Sequence, residues 1–186
     1  EIGAENVFDF SIGNPSVPSP DAVNETAIKL LQETDPVIIH GYTSAQGDID
    51  VRKLLADSVN RRFNRAFGPD NFYVSVGAAA ALCCCLNGLC NKDDEVIVFA
   101  PYFPEYKVFI EGAGAKINMI PADTKAFQID FEKFEAAINE TTKAVIVNSP
   151  NNPCGVVYSH ETCTRLAQIL NEKSAELGHP IYLIAD

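Results

Sequence analysis

From residue 72 to residue 186, short apolar runs alternate with longer amphipathic stretches, and few folds accept that alternation. The runs "FYVSV" (72–76), "EVIVFA" (95–100), "AKINMIP" (115–121), "KAVIVN" (143–148) and "IYLIA" (181–185) have the length and residue types of strands. Between them lie segments with helical spacing, at 78–89, 105–111, 130–138 and 159–177. Strands separated by helices pair in parallel, since each return crosses the sheet through a helix. The near-continuous apolar runs 96–99 and 144–147 suit strands covered on both sides. The expectation is an α/β fold, a mostly parallel sheet with helices on both faces.

The first 47 residues read differently. "SIGNPSVPSP" is rich in proline and is followed by a helical segment, "DAVNETAIKLLQE", and then by "HGYTSAQG". Asp21 is the expected N-cap of that helix, and Ala27, Leu30 and Leu31 form a short apolar stripe. This part is expected to be an N-terminal arm rather than a self-sufficient domain. A second amphipathic helix is expected over 48–67, with Val51, Leu54, Leu55, Val59 and Phe63 on one face. At the other end Asp186 follows an apolar run with no helix to cover it, so a longer chain is expected to continue.

Composition narrows the function classes. Of 186 residues, 47% are hydrophobic and 21% charged, an ordinary globular balance. A net charge of −11 argues against nucleic acid and anionic membranes as partners, because both demand basic surface. The longest apolar stretch, 76–90, is too short and too interrupted to span a bilayer, and no secretory signal pattern is visible. Cys83, Cys84 and Cys85 are consecutive, no C-x-x-C pair occurs, and His40, His160 and His179 are scattered. No metal site is expected, and the six cysteines are expected to be small, buried, reduced thiols of an intracellular, cytoplasmic protein.

In open α/β sheets ligands sit outside the carboxyl ends of the strands. After 72–76 comes "GAAAAL", where Gly77 permits a tight turn and the N–H groups of Ala78 and Ala79 lack intrahelical partners. Small side chains there admit an anion to a helix N-terminus, or merely let the helix pack closely. After 95–100 comes "PYFPEY", whose prolines brace two aromatics as a shelf for a flat ligand or as core filling. After 143–148 comes "SPNNPCG", in which Asn152 offers a donor and an acceptor on a chain held by Pro153; an ordinary turn has the same composition. Asp186 follows the last run, ready to pair with a protonated ring nitrogen or to cap a helix. An anion cradle, an aromatic shelf, a bifunctional amide and a carboxylate on one sheet edge together suit a flat, phosphorylated, cationic heterocycle. Pyridoxal 5′-phosphate has that description.

These motifs carry a family resemblance. "SPNNPCG" resembles the S-P-x-N-P-x-G signature of fold-type I pyridoxal-phosphate enzymes, the class I/II aminotransferases. The order "GYTSAQGDIDVRKLLADSV", "VGAAAAL", "PYFPEY", "NSPNNPCG" and "IAD" is similar to that family's order over essentially the whole chain. The resemblance implies that residues 1–47 are the arm and part of a small domain, and that 48–186 begin the large cofactor-binding domain. It implies that Gly13 lies beside the substrate carboxylate and that Tyr42 reaches the cofactor phosphate of the neighbouring subunit in a homodimer. It assigns backbone contacts with the phosphate to Ala78 and Ala79, without the side-chain hydroxyls some relatives add there. Phe103 is to stack on the pyridine ring, where Trp or Tyr is common. Asn152 is to meet the phenolic oxygen and the substrate carboxylate, and Asp186, of catalytic importance, the pyridine nitrogen. The family's Schiff-base lysine and two anion-binding arginines follow that acid further along. The activity implied is amino-group exchange between an amino acid and a 2-oxo acid in amino acid metabolism and biosynthesis. A C–S lyase or other fold-type I enzyme, and a non-catalytic effector-binding module, share the same motifs.

Overall fold

The strands expected after residue 90 form one sheet in the computed structural model, which describes residues 3–7, 13, 17–122 and 125–186. They are β1 (Glu95–Phe99), β2 (Lys116–Ile120), β3 (Thr142–Val147) and β4 (Tyr182–Ala185). All neighbours pair in parallel, in the order β2-β1-β3-β4. Ahead of them come α1 (Asp21–Glu33), α2 (Pro36–Ile39), α3 (Ile49–Phe63) and α4 (Ala78–Leu89). The crossovers are α5 (Glu105–Gly112), α6 (Phe131–Ala137) and α7 (His160–Leu177).

Alternate strand residues divide the core into two layers. Val96 and Val98 of β1 join Ala144 and Ile146 of β3 against Leu82 and Leu86 of α4 and Tyr106 and Ile110 of α5. Ile97, Phe99 and Val145 face the other way, against Phe134 of α6 and Leu166, Ile169 and Leu170 of α7. Helices therefore cover both faces, which is why the central strands carry no polar alternation. The helix ends follow local chemistry: Asp130 accepts from Lys133 N at 3.1 Å and Ser159 from Thr162 N at 3.0 Å. Gly178, at φ 73°, ends α7 in the left-handed conformation.

The topology reverses at one place. The chain leaves β1 through α5 to β2 on one side, and leaves β3 through α7 to β4 on the other. The carboxyl ends of the adjacent strands β1 and β3 thus flank a switch point, where departing loops diverge and leave a crevice. At the opposite end of the strands a polar network closes the sheet. There Glu95 Oε2 accepts from Asn118 Nδ2 at 2.9 Å and from Asn139 Nδ2 at 3.0 Å.

Several expectations need correction. Residues 72–76 form no strand: Val74 N donates to Gln46 O at 2.9 Å, but no ladder follows, and Tyr73 and Val76 are exposed. The helix expected over 48–67 stops at Phe63, with Asn64 left-handed at φ 49°, and Val51, Leu54, Leu55 and Phe63 are exposed. What α3 buries instead is Ala56 and Arg52. Arg52 donates from Nε to Gly47 O at 3.2 Å and from Nη1 to Pro69 O at 3.1 Å, clipping the 43–47 loop and the 69–71 turn to the helix. Asp21 is the first residue of α1 and not its cap, and no side chain of α1 is buried. The cysteines are not buried either: Cys84, Cys85 and Cys163 are exposed and the other three are half-buried, all as free thiols. Among the described residues no helix is long and apolar enough to cross a membrane.

Candidate functional site

The sheet's carboxyl rim collects polar groups from loops far apart in sequence. Beyond β1, the 100–104 loop leads into α5 and sets Phe103 and Tyr106 against the upper face of the core. Their rings meet edge to face, with centroids 5.6 Å apart at 77°, and Tyr102 stacks on Tyr106 at 6.5 Å and 10°. Tyr106 lies on the apolar stripe of α5 with Ile110 and is 2% exposed. A phenol that deep requires a hydrogen-bond partner. Its hydroxyl donates to Asp186 Oδ2. Burial first, and then the bond to the Asp186 carboxylate, push the Tyr106 phenol well above the ordinary tyrosine range.

Asp186 is held by its backbone as well. Its N–H donates to Val147 O at 2.9 Å, continuing the β3–β4 pairing by one residue. Its carbonyl accepts from Asn148 Nδ2 at 3.1 Å. The same Asn148 side chain accepts from Asn152 N through Oδ1 at 2.6 Å. Asn151, buried to 8% exposure, shapes the loop between them: its N–H donates to Val156 O and its Oδ1 accepts from Cys154 N. A run of direct contacts therefore leads from Phe103 through Tyr106, Asp186 and Asn148 to Asn152.

The start of α4 lies on the same rim. This helix feeds β1 through a tight turn at 90–94 and so runs antiparallel to the strands, which sets its N-terminus at their carboxyl ends. Its second turn, at Leu82, shares a cluster with Phe103 and Tyr106. Gly77, at φ 89°, precedes the helix, and no side chain caps Ala78 or Ala79. Those amides are backbone donors at a positive helix end. A cavity of about 410 Å³ opens near the first turn of α4, lined by Ser44, Gly47, Val74, Val76 and Ala80 among others. A larger one, about 480 Å³, is lined by Tyr73, Ser75, Ala81, Cys84 and Cys85, and neither lining includes Phe103, Asn152 or Asp186.

Of the residues expected in the site, the structure joins Phe103, Asn152 and Asp186 by direct contacts through Tyr106 and Asn148, and sets Ala78 and Ala79 at the start of α4. It does not bring Tyr42 or Gly13 into contact with them. Tyr42 is fully exposed, although the loop that follows it borders the cavity beside α4. Gly13 is exposed, and a Cβ added to it would meet nothing within 4 Å. Its neighbours in "SIGNP" (11, 12, 14 and 15) lie outside the described residues. Tyr106 and Asn148 escape a reading by residue type. Tyr106 passes for a core aromatic, and only its hydroxyl on a fully buried helical stripe marks it. Asn148 is one of three asparagines in five residues, and composition does not say which of them bridges.

Comparison with known proteins agrees with this architecture. The family described as aminotransferase class I and II matches residues 5–177. An aspartate aminotransferase of Thermotoga maritima is 33% identical over 98% of the chain, and a probable kynurenine–oxoglutarate transaminase of Saccharomyces cerevisiae 34% over 86%. The crystal structure of an amino transferase from Eubacterium rectale, 52% identical, superimposes with a TM-score of 0.95 over 98% of this chain and 46% of that one. The chain spans 46% and 37% of the two curated relatives, less than half of either.

Proposed function

Since the chain belongs to the class I and II aminotransferases, a pyridoxal-phosphate-dependent family, we propose that the whole protein exchanges an amino group between an amino acid and a 2-oxo acid. The observation that carries this reading is the contact path from Phe103 to Asn152 through Asp186, at the switch point of a parallel sheet. Its donor set fits pyridoxal 5′-phosphate: uncapped amides for a phosphate, an aromatic ring for a flat heterocycle, a carboxylate for a cationic nitrogen.

In this reading Ala78 and Ala79 hold the phosphate through their N–H groups, where the dipole of α4 also favours negative charge. Phe103 lies against the ring and keeps water from that face. Asp186 pairs with the ring nitrogen and favours its protonated state by direct charge attraction. The bound cofactor supplies an electron sink for the pair left behind when the substrate Cα loses its proton. Asn152 donates to the phenolic oxygen and, with Gly13, orients the substrate carboxylate. Tyr42 reaches the phosphate of the neighbouring subunit, which makes a homodimer the working form. The free, exposed thiols of Cys84, Cys85 and Cys163 support a reducing compartment, the cytoplasm, and a role in amino acid biosynthesis fits there. The net charge of −11 supports neither nucleic acid nor an anionic membrane as partner.

The full-length protein tests this directly. Purified, it is expected to carry a cofactor absorbance band outside the protein envelope. Given an amino acid, it should form the matching 2-oxo acid only when a 2-oxo acid acceptor is present. A missing band overturns the cofactor assignment, and product formed without an acceptor converts the reading to a lyase.

A further inference from the structure

Tyr106 belongs to this rim without an assigned part in it. Its ring is 2% exposed, within the buried cluster that also holds Leu86, Val98, Ile110 and Ile146, so it has little freedom to turn. From that fixed base the hydroxyl donates to Asp186 Oδ2, and the ring edge meets Phe103. One rigid side chain thus touches both the acid and the aromatic shelf. A carboxylate at a strand end otherwise samples several rotamers, each offering its charge in a different direction.

We propose that Tyr106 is a positioning residue for the amino-transfer reaction: it occupies one oxygen of Asp186, reserves the other for the cofactor's ring nitrogen, and sets the tilt of Phe103. This rests on the pyridoxal-phosphate reading above. With one oxygen occupied by the phenol, the other is the one turned to the ring nitrogen, and the attraction of the acid is directed at that atom. Holding that arrangement before the substrate arrives removes a reorganisation that would otherwise accompany each turnover. The phenol is protonated, and so a donor, in the neutral range, and its raised pKa extends that state into alkali.

The experiment uses the full-length protein loaded with pyridoxal phosphate isotopically labelled at its ring nitrogen. In the wild type the NMR signal of that nitrogen should report a protonated ring. Tyr106→Phe keeps the ring and its packing but removes the hydroxyl. The signal should then move toward the unprotonated position, with kcat down by about tenfold, roughly 1.4 kcal/mol, and the KM for the amino donor little changed. In an Asp186→Asn background the same substitution should not move the signal further. If Tyr106→Phe fails to fold, a ring-fluorinated tyrosine at position 106 keeps the shape and strengthens the donor, and the pH at which the signal leaves the protonated position should move up. An unmoved signal in the variant that folds, or an equal shift without the Asp186 carboxylate, overturns the role of Tyr106 and leaves the cofactor reading standing. A wild-type protein that takes up no pyridoxal phosphate overturns both.

Discussion

Asp186 shows how much a single residue draws from its surroundings. Its backbone extends the β3–β4 pairing, its carbonyl accepts from Asn148, and its side chain accepts from Tyr106. On the proposed function, Asp186→Ala in the full-length protein should lower kcat on the order of a hundredfold or more, with part of the cofactor still bound through the amides assigned to its phosphate. Steady-state kinetics with a cofactor titration decides it, and near wild-type turnover would remove the residue from the mechanism. Tyr106 makes a separate prediction about alkali. An unfolded tyrosine loses its proton near pH 10, whereas the folded phenol keeps it to higher pH. The native state therefore binds more protons above about pH 10, and its stability falls as pH rises through that range while remaining whole below it. Urea midpoints followed from about pH 8 to about pH 11 should drop more steeply for the wild type than for Tyr106→Phe.

At the scale of elements, what the sequence shows is whatever local physics decides. The runs that became β1 to β4 are apolar and partly β-branched, and each finds a neighbour to pair with. Residues 72–76 have the same composition, but a strand exists only with a partner, and Val74 finds a single bond to Gln46. Periodicity likewise gives a stripe on α3 without saying what covers it; the structure buries Arg52 and Ala56 and leaves Leu54 exposed. The rim loops were visible as unusual residues at strand ends, because position in an α/β sheet assigns them an edge. The tyrosine and the amide that tie them together were not visible, since a hydrogen bond across 80 residues leaves no local pattern. Packing energetics belong to this scale too. Phe134, fully buried and edge to face with Phe99 at 5.2 Å, anchors α6 under the sheet. Phe134→Ala in the full-length protein should cost about 3–5 kcal/mol, read as a lower denaturant midpoint at unchanged m-value.

At the scale of the whole molecule, the proposed role of Tyr42 makes a prediction about assembly. The residue is fully exposed and touches none of the rim groups. Mixing full-length Tyr42→Ala with full-length Asp186→Ala and letting subunits exchange separates the cases. If Tyr42 works across a homodimer, each mixed pair rebuilds one intact site, and activity returns to about a quarter of wild type. If it works within its own subunit, mixing restores nothing.

Asn148 carries one more consequence. Its amide reaches Asp186 with one hand and Asn152 with the other, joining segments 38 residues apart in the chain. The crevice is thus framed by a mechanical linkage, not by independent posts. Two lesions along this linkage are then expected to cost less together than the sum of each alone.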